Sequence, residues 1–150
     1  MRKVNMHYWS WGRKENLSVT ISDDGLGVVD EYAQIVFLRG QCHALALAIH
    51  ELTGWTIVGL GDPANDDTPD SPAHCVVYCP ALKSYVDIKG RVPRDYYRKA
   101  KNWKLINRKV PPELAKNFRN YMEPDVATAR AFAKTILTGL GVDFHGPVKK

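Results

Sequence analysis

Hydrophobic and polar positions change their period several times along the chain, and each change marks an element. Asn16 to Ser22, NLSVTIS, alternates as a half-buried strand does and stops at the turn residues Asp23-Asp24-Gly25. Val28 to Leu38 carries a helical pattern that Gly40 interrupts. From Cys42 to Thr53 the pattern is stronger: Leu45, Ala48, Ile49 and Leu52 fall on one helical face, and Gly54 supplies the stop. A strand is expected over Trp55 to Leu60, then two more over His74 to Cys79 and Tyr85 to Ile88. The remainder reads as mainly helical. One helix opens at Pro111-Pro112 and extends toward Met122; another runs from about Pro124 to Leu137 with Val126, Ala129, Ala133, Ile136 and Leu137 as its apolar stripe.

The two strands after residue 73 carry a register argument. If Pro80-Ala81-Leu82-Lys83 is a four-residue hairpin loop, Cys79 pairs with Ser84. Side chains then sort by parity. Cys75, Val77, Cys79, Val86 and Ile88 share one face; His74, Val76, Tyr78, Tyr85 and Asp87 share the other, with Asp87 a diagonal neighbour of His74. A loop of odd length without a bulge would separate His74 from Asp87 across the sheet.

These elements describe an α+β fold in which the Cys42 helix packs on an antiparallel sheet of about three to five strands. The 150 residues suit a single domain, with a core over about 16–90 and a basic helical tail over about 91–140. No apolar run approaches the roughly 18 residues needed to cross a bilayer, and the first residues have charge without the apolar segment of a secretory signal. A cytoplasmic protein with no membrane partner is the expectation. The three cysteines, Cys42, Cys75 and Cys79, have neither a disulfide-scaffold nor a zinc-site spacing, which suits free thiols. A zinc site from His74, Cys75 and Cys79 is disfavoured because adjacent strand residues point to opposite faces, so no metal or organic cofactor is expected.

The net charge of +5 is unevenly distributed. Lys83 to Arg119 is dense in Lys and Arg and interleaved with Tyr96, Tyr97 and Trp103, a combination suited to an acidic protein or to nucleic acid, or simply to a solvated surface. The Gly61 to Ser71 loop, GDPANDDTPDS, has the opposite sign.

The cysteine that opens the strongest helix decides the chemistry. A thiol at a helix N-terminus lies near unpaired N–H groups and the positive end of the macrodipole, which favour thiolate. Cys42 is therefore the candidate nucleophile, His74 the base that exchanges its proton, and Asp87 the group that orients the imidazole. Developing charge on a substrate oxygen would meet the Cys42 backbone N–H, aided by the Gln41 amide. Trp55, Tyr78 and Tyr85 are candidates to line a substrate groove. Taken singly, Cys42 could be a packed thiol, His74 a strand-edge residue, and Asp87 an anchor for a turn or a lysine. His43, about 100° around the helix from Cys42, is a poor partner for it. His43 and His50 are expected on a partly exposed face, and His7 and His145 carry no signal.

The segments GQCHALALAIHELTGW, HCVVY and YVDIKG, in the order Cys, His, Asp, resemble the core of papain-like and transglutaminase-like cysteine enzymes, and are similar to small uncharacterised bacterial and phage proteins of that fold. The resemblance spans roughly Gly40 to Gly90. It implies Cys42, His74 and Asp87 as a triad acting on amides of a protein or peptide substrate, by hydrolysis or by acyl transfer to an amine. Papain's oxyanion glutamine lies several residues before its cysteine, whereas Gln41 lies immediately before Cys42. The rival expectation is a non-catalytic binding module of the same fold that uses its basic surface.

Overall fold

The computed structural model describes residues 1–10, 12–61, 73–101, 106–116 and 123–143, without the side chains of 98, 100, 101 and 106–108. The acidic residues Asp62 to Asp70, and Trp103, Arg119, Met122 and His145, lie outside that set.

Two antiparallel strands, β1 (Arg2–Ser10) and β2 (Arg13–Ile21), open the chain as a hairpin pairing Arg2 with Ile21 and Ser10 with Arg13. Met6, Val19 and Ile21 are buried from it into the main core. The first helix, α1 (Glu31–Leu38), starts where the Asp30 carboxylate accepts from Ala33 N–H, three residues later than the hydrophobic pattern alone places it. Gly40 then turns the chain at φ 126°, a conformation that L side chains rarely adopt, so that α2 (Cys42–Thr53) can start two residues on. α2 has the predicted bounds, and nine of its residues are buried. It is the central element of the core.

The main sheet comprises, among the described residues, β3 (Thr56–Gly61), β4 (His74–Cys79), β5 (Ser84–Asp87), β6 (Gly90–Val92) and β7 (Ile106–Lys109) in the order β6-β5-β4-β3-β7. Every pairing among these strands is antiparallel. The β4–β5 ladder pairs Cys79 with Ser84, Tyr78 with Tyr85 and Val77 with Val86, the expected register. Its turn places Lys83 at φ 49°. Cys75, Val77, Cys79, Val86 and Ile88 lie in the core with α2. Val58, Leu60, Val76, Tyr85, Val92 and Tyr97 form a second apolar cluster, with Tyr78 and Tyr96 packed against it. The parity argument therefore holds for the two hairpin strands.

The region expected to be a helical tail departs from that expectation. β6 and β7 occupy the two edges of the sheet, and the short helix α3 (Tyr96–Lys101) falls between them in sequence. Short, polar edge strands carry almost no hydrophobic period, which is why the pattern does not reveal them. Two further helices, α4 (Pro112–Lys116) and α5 (Val126–Gly139), contact α2. No helix among the described residues is long and apolar enough to cross a membrane.

α5 is locked to the segment before α1 at a single close approach. Gly27 N–H donates to Ala131 O at 3.0 Å, Thr135 Oγ1 donates back to Gly27 O at 2.6 Å, and a Cβ on Gly27 would stand within 2.7 Å of three atoms of the buried Phe132 ring. Gly27→Ala is expected to lower the unfolding free energy by about 1–3 kcal/mol, the usual range for overpacking, as read from urea denaturation midpoints at unchanged slope.

Candidate active site

Three elements meet at one end of the sheet. β4 begins there with His74, β5 ends there with Asp87, and α2 begins there with Cys42. Because β4 and β5 are antiparallel, the first residue of one and the last of the other lie at the same edge.

His74 and Asp87 are joined directly: Nε2 of the imidazole is 3.0 Å from Oδ2 of the carboxylate, with both residues buried at 4% and 3% exposure. The other carboxylate oxygen, Oδ1, accepts from Lys89 N–H at 2.8 Å across the β5–β6 turn. Asp87 thus anchors a turn and holds the histidine at the same time, so the structural and the chemical readings of this residue are not alternatives.

Cys42 meets the pair from the helix. Its Sγ accepts from Cys75 N–H at 3.4 Å. The thiol is pulled well below the ordinary range, chiefly by hydrogen bonding from Cys75, with His43 and His74 adding to it against the opposing effect of burial. Burial pushes His74 down, yet the hydrogen bond to Asp87 and the hydrogen bond and charge of Cys42 prevail and raise it from 6.5 to about 9. Burial likewise raises Asp87, but His74, Tyr97 and the Lys89 amide hold it below the ordinary carboxylate value. These shifts all favour the charged forms, thiolate, imidazolium and carboxylate, over their neutral counterparts. With Nε2 committed to Asp87, Nδ1 is the nitrogen left for the sulfur.

Two participants were not foreseen. Tyr97, expected within a basic surface segment, is 4% exposed: its hydroxyl donates to Asp87 Oδ2 and stands 3.2 Å from His74 Nε2, and its ring packs 5.0 Å from the imidazole. Its phenol is held far above the ordinary range by burial and by the Asp87 charge. His43, expected on a partly exposed face and as a poor partner of Cys42, is fully buried, and its imidazole contributes to lowering the thiol. Its only signal in the sequence is adjacency to the cysteine. His50 instead binds Trp55 O through Nδ1 at 2.7 Å.

Other expectations are corrected. Gln41 is no oxyanion donor: its Nε2 donates to His7 O and Glu123 O, both at 3.2 Å, and its Oε1 accepts from Asp125 N–H at 3.1 Å. Every polar atom of that amide ties the start of α2 to β1 and to the segment before α5. Trp55 packs half-buried on the main core. Tyr78 and Tyr85 do line a cavity, but it is one shared with Thr56, Val58, Arg94 and Lys109, and no member of the triad borders it. The sulfur is also enclosed more than a substrate-facing thiol would be, at 3% exposure for Cys42.

Among the described residues no group of three or more His, Cys, Asp or Glu is arranged to hold a metal ion. No protein-family model matches the chain, and no curated protein or solved structure shows significant similarity to it.

Linkage gives the site a distinct pH signature. His74, raised from 6.5 to about 9, contributes stability that is complete below 6.5 and lost as pH rises through about 9. Cys42, depressed from 9.0, contributes stability that is complete above 9.0 and lost as pH falls through its folded value. Where the two windows overlap, below 9, the two slopes oppose each other. In NMR titrations His74 is expected to titrate near 9 in the wild type and substantially lower in Cys42→Ala, which removes the thiolate; an unchanged value would separate the histidine from the sulfur. Gln41→Ala is expected to cost about 1–3 kcal/mol in urea denaturation through its unsatisfied backbone partners, while leaving the pH midpoint of Cys42 alkylation in place.

Proposed function

We propose that the protein is a cysteine-dependent amide hydrolase or acyl transferase acting on a protein or peptide, with a papain-like or transglutaminase-like core. The observation that carries the reading is the convergence of Cys42, His74 and Asp87, from three separate elements, at the first turn of a helix.

In this reading the Cys42 thiolate attacks the carbonyl carbon of the amide, forming a C–S bond and a tetrahedral oxyanion. The Cys42 backbone N–H, one of the donors that a helix start leaves without an intrahelical partner, meets that oxyanion. His74 gives its proton to the leaving nitrogen as the C–N bond breaks, and a thioester on Cys42 remains. Water or an amine then attacks the thioester; His74 takes up the proton of that nucleophile, and the thiolate departs. Asp87 keeps the imidazolium oriented throughout, and the Tyr97 hydroxyl holds Asp87.

The 3% exposure of Cys42 favours a second reading, in which the same fold is a non-catalytic module and the exposed basic residues of the Lys83–Arg119 segment hold an acidic protein or nucleic acid. Reactivity of the thiol separates the two. Under the enzyme reading, iodoacetamide modifies Cys42 in the native protein with a pH midpoint below that of an ordinary thiol, and His74→Ala raises that midpoint toward the ordinary range. Modification only under unfolding conditions, or a midpoint insensitive to His74→Ala, sinks the enzyme reading and leaves the binding module.

A further inference from the structure

The cavity behind Tyr78 and Tyr85 has chemistry of its own. It has a volume of about 430 Å³ and is walled by Thr56 and Val58 of β3, Tyr78 of β4, Tyr85 of β5, Arg94 and Lys109. That volume lies within the roughly 300–1,000 Å³ typical of small-molecule sites.

Its polar lining is one-sided. Thr56, Tyr78 and Tyr85 offer hydroxyls, Arg94 a guanidinium and Lys109 an ammonium, and among the described residues no carboxylate lines the cavity. All five can donate hydrogen bonds. Among the described residues none of these groups has a hydrogen-bond or ion-pair partner. Asp95, next to Arg94 in sequence, is committed to Lys99 at 2.8 Å. The guanidinium of Arg94 instead lies 5.5 Å from the centroid of the Tyr78 ring, which fixes its position at the wall. Tyr85 contributes to the wall from the second apolar cluster, 2% exposed, and its side chain has no hydrogen-bond partner among the described residues.

From this convergence of unpartnered donors we infer that the cavity binds a phosphate monoester carrying a compact apolar or aromatic body. Arg94 and Lys109 together balance a dianion, whereas a monocarboxylate would leave one of them uncompensated. A tetrahedral phosphoryl group accepts from several directions, which suits donors that arise from four strands and a loop better than a planar carboxylate does. Val58 and the two tyrosine rings, set edge to face at 6.2 Å and 73°, provide an apolar surface for the organic part. The site stands independently of the Cys42 chemistry, since it shares no residue with it.

Calorimetric titration of the full-length protein at low ionic strength with phenyl phosphate, inorganic phosphate and benzoate tests the assignment. Phenyl phosphate is expected to bind most tightly, inorganic phosphate more weakly for want of the apolar contact, and benzoate roughly tenfold or more below phenyl phosphate because it carries one charge and two oxygens. Arg94→Gln and Lys109→Gln are each expected to weaken phenyl phosphate roughly tenfold, and Tyr85→Phe several-fold. All three substitutions leave the fold intact: two replace exposed side chains and the third removes only a hydroxyl. Absence of phenyl phosphate binding, benzoate binding as tight as phenyl phosphate, or affinity unchanged in Arg94→Gln and Tyr85→Phe overturns the inference.

Discussion

His74 and Asp87 are ionisable groups that the fold removes from water, and each makes the burial of the other tolerable. Their 3.0 Å contact offsets a desolvation penalty that either would bear alone, and breaking such a buried pair by removing one partner costs about 3–5 kcal/mol in general. The contact is therefore a condition on the fold as well as on the chemistry. Asp87 meets it with both oxygens: Oδ2 serves His74 and Tyr97, while Oδ1 fixes the turn through Lys89 N–H. The turn begins β6, and the chain beyond it brings Tyr97 back over the pair. The hydrogen bonds that orient the imidazole are thus the same ones that hold one edge of the sheet in place.

That contact rests in turn on the length of one loop. Four residues, Pro80 to Lys83, join β4 to β5 so that Tyr78 faces Tyr85, and the same register carries Asp87 to the diagonal of His74. A one-residue change would exchange the faces and place Asp87 in the hydrocarbon beneath α2, where Val86 and Ile88 now lie. Lys83 accepts φ 49° to close the loop at this length. A non-glycine residue in that region of backbone space is uncommon, and here the strain is confined to one exposed position.

The parts legible in the sequence are those with a strong local period or a short-range constraint. The bounds of α2 follow from Leu45, Ala48, Ile49 and Leu52 together with the flanking glycines; the bounds of β4 and its pairing with β5 follow from alternation and loop length. What was missed depends on contacts between distant residues. β1 does alternate, with Val4, Met6 and Tyr8 packed inward, but its flanking charges and the absence of a preceding turn disguise it. Tyr97 sits in a run of basic residues that reads as surface, and only its contacts with residues ten and twenty-three positions earlier make it part of the core. Gln41 misleads for the converse reason. Beside a candidate nucleophile it suggests an oxyanion donor, while its actual partners, His7, Glu123 and Asp125, are 34 to 84 residues away.

The two faces of the sheet contribute unequally to the site, and this constrains how a substrate could reach it. The sulfur arrives on α2, which packs with Cys75 and Val77, whereas Tyr97 packs on the imidazole and carboxylate from the side of the second apolar cluster. Groups carried by opposite faces can touch only at the end of the strands, where the sheet no longer separates them. Approach over the face of the second cluster is blocked by the Tyr97 ring 5.0 Å from the imidazole, and approach over the other by α2 itself. Among the described residues the third side of the site is the strand ends, beside the first turn of α2. Under the proposed amide chemistry, attack at that end would set the carbonyl oxygen against the helix start and the leaving nitrogen toward the His74 imidazole.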